Sequence, residues 1–311
     1  MPAVLLTDAE RFPFDADDRA ELANAGVELR ELEGHEPEDV LAAARGADAV
    51  FVYYARFPAE AIERLNGVRV LARCGTGYDN IDVSAARARG IEVVYVPDYG
   101  IDDVADHALA LLLACSRKIA LSDRAVRAGE WPGYAELAPM HRLRGQTLGL
   151  LGYGRIASGL GVKARALGIE VIAHDPYVAE ATATREELFR ASDFVSVHVP
   201  LTAQTRHAVS EAELALMKPT AILVNTARGP VVDTVALARA LRDGRLAGAG
   251  IDVFEEAPLP PDHPLRDCPT AVLTPHSAAY TEESLAEVRK RPLADVLRIL
   301  RGESPESPVP A

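Results

Sequence analysis

Short apolar runs recur along this 311-residue chain, each followed by an amphipathic stretch, and the pattern is run through twice. In the first third the runs are residues 3–7, 27–32, 49–53, 68–74 and 93–96, with helical patterns such as 19–25 and 38–45 between them. Near-continuous apolar strands alternating with helices predict a parallel sheet shielded on both faces by its crossover helices. A long apolar helix is expected over roughly 103–119, opened by Asp102 and Asp103, whose carboxylates suit a helix N-terminus. A loop with Trp131, Pro132, Gly133 and Pro139 follows, and the alternation restarts at 147–151, 170–174, 194–199, 221–225, 248–253 and 272–274. The fold class is therefore α/β, with two doubly wound parallel-sheet units. A last amphipathic helix, about 281–301, comes after the second unit is complete and is expected to pack back on the first. The closing GESPESPVPA is expected to be loose.

Composition narrows the function classes. Lys plus Arg is 33 against 46 Asp plus Glu, a net charge of −13, which argues against a binder of the nucleic-acid phosphate backbone. No apolar run approaches the ~20 residues of a membrane span. The opening MPAVLLTDAE lacks the basic and apolar regions of a secretory signal, so a cytoplasmic protein is expected. Cys74, Cys115 and Cys268 lie far apart with no CxxC pair, as reduced thiols would, and no metal site is expected.

Residues 146–157 read QTLGLLGYGRIA: an apolar strand, then Gly152-Tyr-Gly154-Arg155-Ile156-Ala157 opening a helix. Gly152 permits the tight turn, Gly154 lets backbone approach a pyrophosphate at the helix N-terminus, and Ala157 allows close helix–strand packing. Asp175 ends the next strand, 23 residues after Gly152. A carboxylate there accepts hydrogen bonds from the adenosine ribose and repels a 2′-phosphate, which favours NAD over NADP.

Beyond this turn the chain resembles the D-isomer-specific 2-hydroxyacid dehydrogenases over essentially its whole length. The matching segments are CGTGYDNID (74–82), VADHALALLLA (104–114), GLLGYGRIA (149–157), HVPLTAQT (198–205), VNTARGPVVD (224–233), AGAGIDVFEEAP (247–258) and TPHSAAYTEES (274–284). Within the family, DYGIDDVADHA (98–108) and PHSAAYTEES (275–284) look most like a bacterial branch related to C-terminal-binding-protein corepressors and phosphoglycerate dehydrogenase-like enzymes. The resemblance implies two Rossmann-like domains with the active site in the cleft between them. Residues 1–100 plus 281–311 would form a flavodoxin-like substrate-binding domain, and 101–280 the NAD-binding domain. It also implies a homodimer and a small anionic substrate, a 2-hydroxy or 2-oxo acid.

Residue by residue, Arg228 matches the arginine that binds the substrate carboxylate and polarises its carbonyl, a task suited to an always-charged, bidentate donor. His276 matches the general acid/base, imidazole being the side chain poised for proton transfer near neutrality. Gly75, Thr76 and Gly77 match the loop whose backbone N–H groups hold the carboxylate. Tyr78 either lines that pocket or packs between the domains. His198, Val199, Pro200 and Thr205 match the segment beside nicotinamide and ribose, and Thr226, Ala227 and Asp252 match further cofactor-contacting positions.

One position departs from the family pattern. A glutamate usually stands five residues after the aspartate matching Asp252, where it orients the catalytic histidine; here that position is Ala257. Adjacent Glu256 substitutes only if the loop bends, since neighbouring side chains on an extended segment point to opposite sides. A rearranged Glu256 or Glu255, an unassisted His276, or a redirected site are the alternatives, and Ala257→Glu is expected to raise kcat at neutral pH. Three functions therefore stand side by side: a 2-hydroxyacid dehydrogenase, the same scaffold acting on a phosphonate or aldehyde acid, and a non-enzymatic NADH-responsive binding module.

Overall fold

The computed structural model describes residues 1–310, which form two compact units, Met1–Tyr99 with the segment from Thr281 onward, and Gly100–Tyr280. In the first unit β1 (Ala3–Leu6), β2 (Glu28–Glu31), β3 (Ala49–Val52), β4 (Val70–Arg73) and β5 (Glu92–Val94) alternate with α1 (Ala16–Asn24), α2 (Pro37–Ala43), α3 (Ala59–Glu63) and α4 (Val83–Ala88). All five strands are parallel, in the order β2-β1-β3-β4-β5. The inner strands β1 and β3 are buried along their whole length, as continuous AVLL and AVFV runs require, whereas edge strand β2 has no buried residue.

The second unit holds α5 (Ile101–Ser116), α6 (Ile119–Arg127), α7 (Tyr134–Leu137), β6 (Thr147–Leu151), α8 (Arg155–Ala166), β7 (Glu170–His174), α9 (Arg185–Ala191), β8 (Phe194–Val197), α10 (Glu211–Leu216), β9 (Ile222–Asn225), α11 (Thr234–Arg242), β10 (Gly248–Ile251) and β11 (Ala271–Leu273). Its six strands are parallel in the order β11-β10-β9-β8-β6-β7, so the winding direction reverses between β6 and β8. Helix α5 lies on this sheet so closely that a Cβ added to Gly250 of β10 would come 2.7 Å from Leu111. The helix expected over roughly 103–119 is α5, which starts at Ile101 and stops at Ser116, and a separate helix α6 follows it. Lys118 adopts a left-handed φ of 49°, which ends one and begins the other.

The chain then returns to the first unit as α12 (Glu282–Leu300), whose Val288, Leu293, Val296 and Leu297 pack with Val4, Phe51 and Val70. Arg289 on this helix reaches Asp18 and Asp15 at the start of α1, at 3.0 and 2.9 Å. The tail expected to be loose is tied down at Glu306, Ser307 and Val309. Tyr95 N–H donates to the Ser307 carbonyl, Val309 N–H donates to the Val93 carbonyl, and Val309 is buried. Buried Asp295 accepts the N–H groups of Glu306 and Ser307 at 2.6 and 3.1 Å. An edge strand offers unpaired backbone groups, and the tail satisfies those of β5 while Val309 fills an apolar slot. Its Pro and Ser content masked that pairing in the sequence.

Candidate active site

Most site residues expected in the second unit stand just beyond the carboxyl end of a strand; Arg155 and Ile156 open helix α8, and Thr205 lies farther along the loop after β8. Gly152 and Gly154 follow β6, Asp175 follows β7, Val199 and Pro200 follow β8, Thr226 to Arg228 follow β9, Asp252 follows β10, and His276 follows β11. The reversal between β6 and β8 opens the crevice in which open α/β sheets bind ligands.

The turn after β6 fits a pyrophosphate. Gly152 has φ 89°, and a Cβ there would meet the His198 carbonyl carbon at 2.8 Å. Gly154 caps α8 with no atom within 4 Å of where its Cβ would stand, so packing does not demand a glycine there, whereas close approach of a ligand does. Arg155 and Ile156 supply the first turn of the helix, and Ala157 is fully buried against the sheet. The Asp175 carboxylate accepts the N–H groups of Tyr153 and Tyr177, each at 2.9 Å, which locks it beside the turn. Thr226 carries a buried hydroxyl with no hydrogen-bond partner among the described residues, the kind of orphan a polar ligand satisfies. These residues fit a dinucleotide.

Beneath the same crevice the His198 imidazole meets the Ser196 hydroxyl at 2.8 Å, and burial pushes its pKa down to about 4, so it is neutral. The Thr205 hydroxyl donates to the Pro200 carbonyl at 2.6 Å within its own loop.

Arg228 is placed by two residues. Buried Asn225 at the end of β9 donates to the Arg228 carbonyl at 3.0 Å and accepts the Ala227 N–H at 3.0 Å. Gly229 is obligatory, because a Cβ there would fall 1.8 Å from the Phe254 carbonyl oxygen. The guanidinium itself is half-buried and donates to the Ala227 carbonyl at 2.8 Å.

His276 sits on a loop pinned by Asp252. The fully buried Asp252 carboxylate accepts the Thr274 hydroxyl at 2.6 Å, the Ser277 N–H at 2.9 Å and the Ala278 N–H at 3.1 Å. His107 of α5 lies 3.0 Å from the Thr274 hydroxyl oxygen and 3.5 Å from the carboxylate. The His276 N–H donates to the carbonyls of Asp252 and Thr274, and the residue is held at φ 56°. Side chains with β-carbons rarely adopt that conformation without enforcement, and strain of this kind gathers at functional loops. With β9, β10 and β11 adjacent, Arg228 and His276 leave the same sheet edge two strand spacings apart, roughly 10 Å.

The segment around Ala257 is exposed. Glu255 is committed to His207, whose Nε2 lies 2.9 Å from its carboxylate, and Glu256 forms no hydrogen bond among the described residues.

In the first unit Gly75, Thr76, Gly77 and Tyr78 follow β4. Tyr78 packs edge-on against Tyr95, ring centroids 5.6 Å apart. Cys74 is buried, and burial raises its thiol to about 12, so it is no nucleophile at neutral pH. Among the described residues no cluster of three or more His, Cys, Asp or Glu side chains could hold a metal, and no helix is long and apolar enough to cross a membrane.

Residues 109–278 match the family model described as the D-isomer specific 2-hydroxyacid dehydrogenase NAD binding domain. The chain belongs to the D-isomer specific 2-hydroxyacid dehydrogenase family. A glyoxylate reductase of Aeropyrum pernix is 39% identical over 282 residues, covering 86% of this chain and 84% of that one. The crystal structure of a glyoxylate reductase from Paecilomyes thermophila superposes with a TM-score of 0.87 at 31% identity, over 99% of this chain and 98% of the other. A D-lactate dehydrogenase from Aquifex aeolicus, complexed with NAD and lactic acid, gives 0.85 at 27% identity over 96% of each chain. This family member is an NAD-dependent oxidoreductase acting on the CH–OH group of a 2-hydroxy acid, and that reading prevails over the non-enzymatic module.

Asn225, Thr274 and His107 were not singled out from sequence. Only His107 left a trace, as the one ring nitrogen pair on the apolar stripe of HALALLLA.

Proposed function

We propose that the chain interconverts a small D-2-hydroxy acid and its 2-oxo acid, with Arg228 and His276 as catalytic residues. The observation that carries this reading is the common placement of both at the carboxyl ends of β9 and β11, on the sheet edge that also bears the dinucleotide turn. NADH, when bound by Gly152 to Ile156, Asp175, Val199, Pro200, Thr205, Thr226, Ala227 and Asp252, supplies the hydride that reaches C2.

Arg228 binds the 2-oxo acid through its guanidinium and stabilises negative charge growing on the carbonyl oxygen. His276 delivers the proton to that oxygen and takes it back in the reverse direction. Asp252, through Thr274, Ser277 and Ala278, holds the histidine loop in place. Gly75, Thr76 and Gly77 of the substrate-binding unit receive the carboxylate on backbone N–H groups. Asp175 excludes a 2′-phosphate, so NAD is preferred.

Ala257 favours a second reading, in which the same scaffold takes another acidic substrate, a phosphonate or an aldehyde acid. Glyoxylate is itself an aldehyde acid, so a panel of glyoxylate, pyruvate, hydroxypyruvate, longer 2-oxo acids and phosphonates, followed by NADH absorbance, tests both. Turnover of one or more 2-oxo acids is expected; turnover confined to phosphonates overturns the first reading.

A homodimer is favoured by α6 and the segment after it. That helix buries no residue, and Ile119, Val126, Trp131 and Tyr134 are all exposed within 16 residues of chain. Exposed large apolar side chains concentrated this way mark a protein–protein surface. Three free, buried cysteines suit a reducing cytoplasm, and the net charge of −13 speaks against nucleic-acid partners.

A further inference from the structure

We infer that Arg73 is a positioning residue that shapes the loop Cys74–Tyr78 into an anion cradle; this rests on the reading of that loop as the carboxylate site. Arg73 ends β4, and its guanidinium ties together carbonyls at the two ends of the loop it precedes. Its Nε–H donates to the Gly77 carbonyl at 2.7 Å, and Nη1 donates to the carbonyls of Cys74 at 2.5 Å and Val52 at 3.4 Å. Gly75 lies hard against it at φ 151°, where an added Cβ would come 2.8 Å from Nη1.

A peptide unit points its C=O and the following N–H in opposite directions. With the Gly77 carbonyl turned in toward Arg73, the Tyr78 N–H is turned away from it. The Gly75 carbonyl accepts the Val96 N–H at 3.1 Å, and the Thr76 hydroxyl donates to the Val96 carbonyl at 2.9 Å, so the Thr76 N–H is likewise turned away from Val96. Among the described residues the N–H groups of Thr76, Gly77 and Tyr78 donate to no protein acceptor. Three consecutive unpaired N–H groups are donors available to an anion, and a fixed cation bonded to the same loop adds positive potential. Arg73 thus does two things a lysine cannot do together: its planar fork holds carbonyls on two sides of the arc, and its charge backs the site.

The test compares wild-type protein with Arg73→Lys, Arg73→Met and Gly75→Ala, using NADH and the best 2-oxo acid of the panel, with folding checked by circular dichroism. Expected is a KM for the oxo acid raised about tenfold or more, with kcat changed less than threefold and the NADH dissociation constant, read by nucleotide fluorescence, within twofold of wild type. Should Arg73→Met fail to fold, Arg73→Lys and Gly75→Ala decide. An oxo-acid KM within twofold of wild type in the folded variants overturns the inference, as does a fall in kcat and NADH affinity that parallels the rise in KM. Lack of wild-type turnover on every 2-oxo acid would instead refute the proposed function.

Discussion

Replacing Asp252 by asparagine removes one charge and keeps the shape, so its consequences can be worked out bond by bond. Oδ1 accepts the Thr274 hydroxyl and the Ser277 N–H, and Oδ2 accepts the Ala278 N–H. With the amide oxygen in the Oδ1 position, its NH2 group faces the Ala278 N–H, donor against donor, leaving a buried N–H unmet at a cost of about 1–3 kcal/mol. The flipped orientation sets the NH2 group against the Ser277 N–H instead. The two surviving bonds lose their charge assistance, which roughly halves their strength. A total of about 3 kcal/mol corresponds to a fall of about 6–12 °C in Tm for a unit of this size. The loop at risk is the one that holds His276 at φ 56°, and misplacement by about 1 Å costs on the order of a hundredfold in rate. Thermal unfolding and steady-state kinetics of Asp252→Asn should therefore show a Tm several degrees lower and kcat reduced about 10- to 100-fold. Wild-type Tm within about 1 °C and kcat within about twofold would refute the clamp.

Three further outcomes follow from the same geometry. The His198 imidazole is neutral in the fold, with a pKa near 4 against an ordinary 6.5, so the unfolded chain takes up a proton that the folded chain refuses between those values. Its contribution to stability is thus whole above about pH 6.5 and falls away toward pH 4, by about 2 kcal/mol; urea titrations at pH 7 and pH 4.5 should show the drop, and His198→Gln should flatten it. Asp175→Ala removes the carboxylate beside the turn after β6, and fluorescence titration is expected to show the NADPH-to-NADH ratio of dissociation constants falling about tenfold or more, equal to about 1.4 kcal/mol. Truncation after Gly302 strips Val309 and the pairing from β5, with an expected loss of about 2 kcal/mol or more and increased aggregation by light scattering.

What could be seen in the sequence was what period and backbone demand write into it. Eleven apolar runs became eleven parallel strands; the inner ones are continuously apolar because they are buried on both faces, and edge strand β2 is not. Gly152 and Gly154 were visible because turns and close approach require glycine, whatever surrounds them. Arg228 and His276 stood out through the order and spacing of whole motifs. The supporting pair Thr274 and His107 did not, since they act through contacts 22 and 167 residues apart in the chain. No local pattern encodes such distances. The stop of α5 at Ser116 and the start of α6 at Ile119 have no local signal, as Lys118, which makes the left-handed turn between them, carries no propensity for it. The tail was misjudged because its order comes from β5 and Asp295, not from its own composition.

In the proposed reaction a proton passes through His276 as the 2-oxo acid is reduced. The rate of NADH consumption by His276→Ala, with the best oxo acid of the panel, tests it directly alongside the NADH dissociation constant. A loss of kcat of about 10²- to 10⁴-fold with NADH affinity retained is the predicted result; turnover within about tenfold of wild type would contradict it.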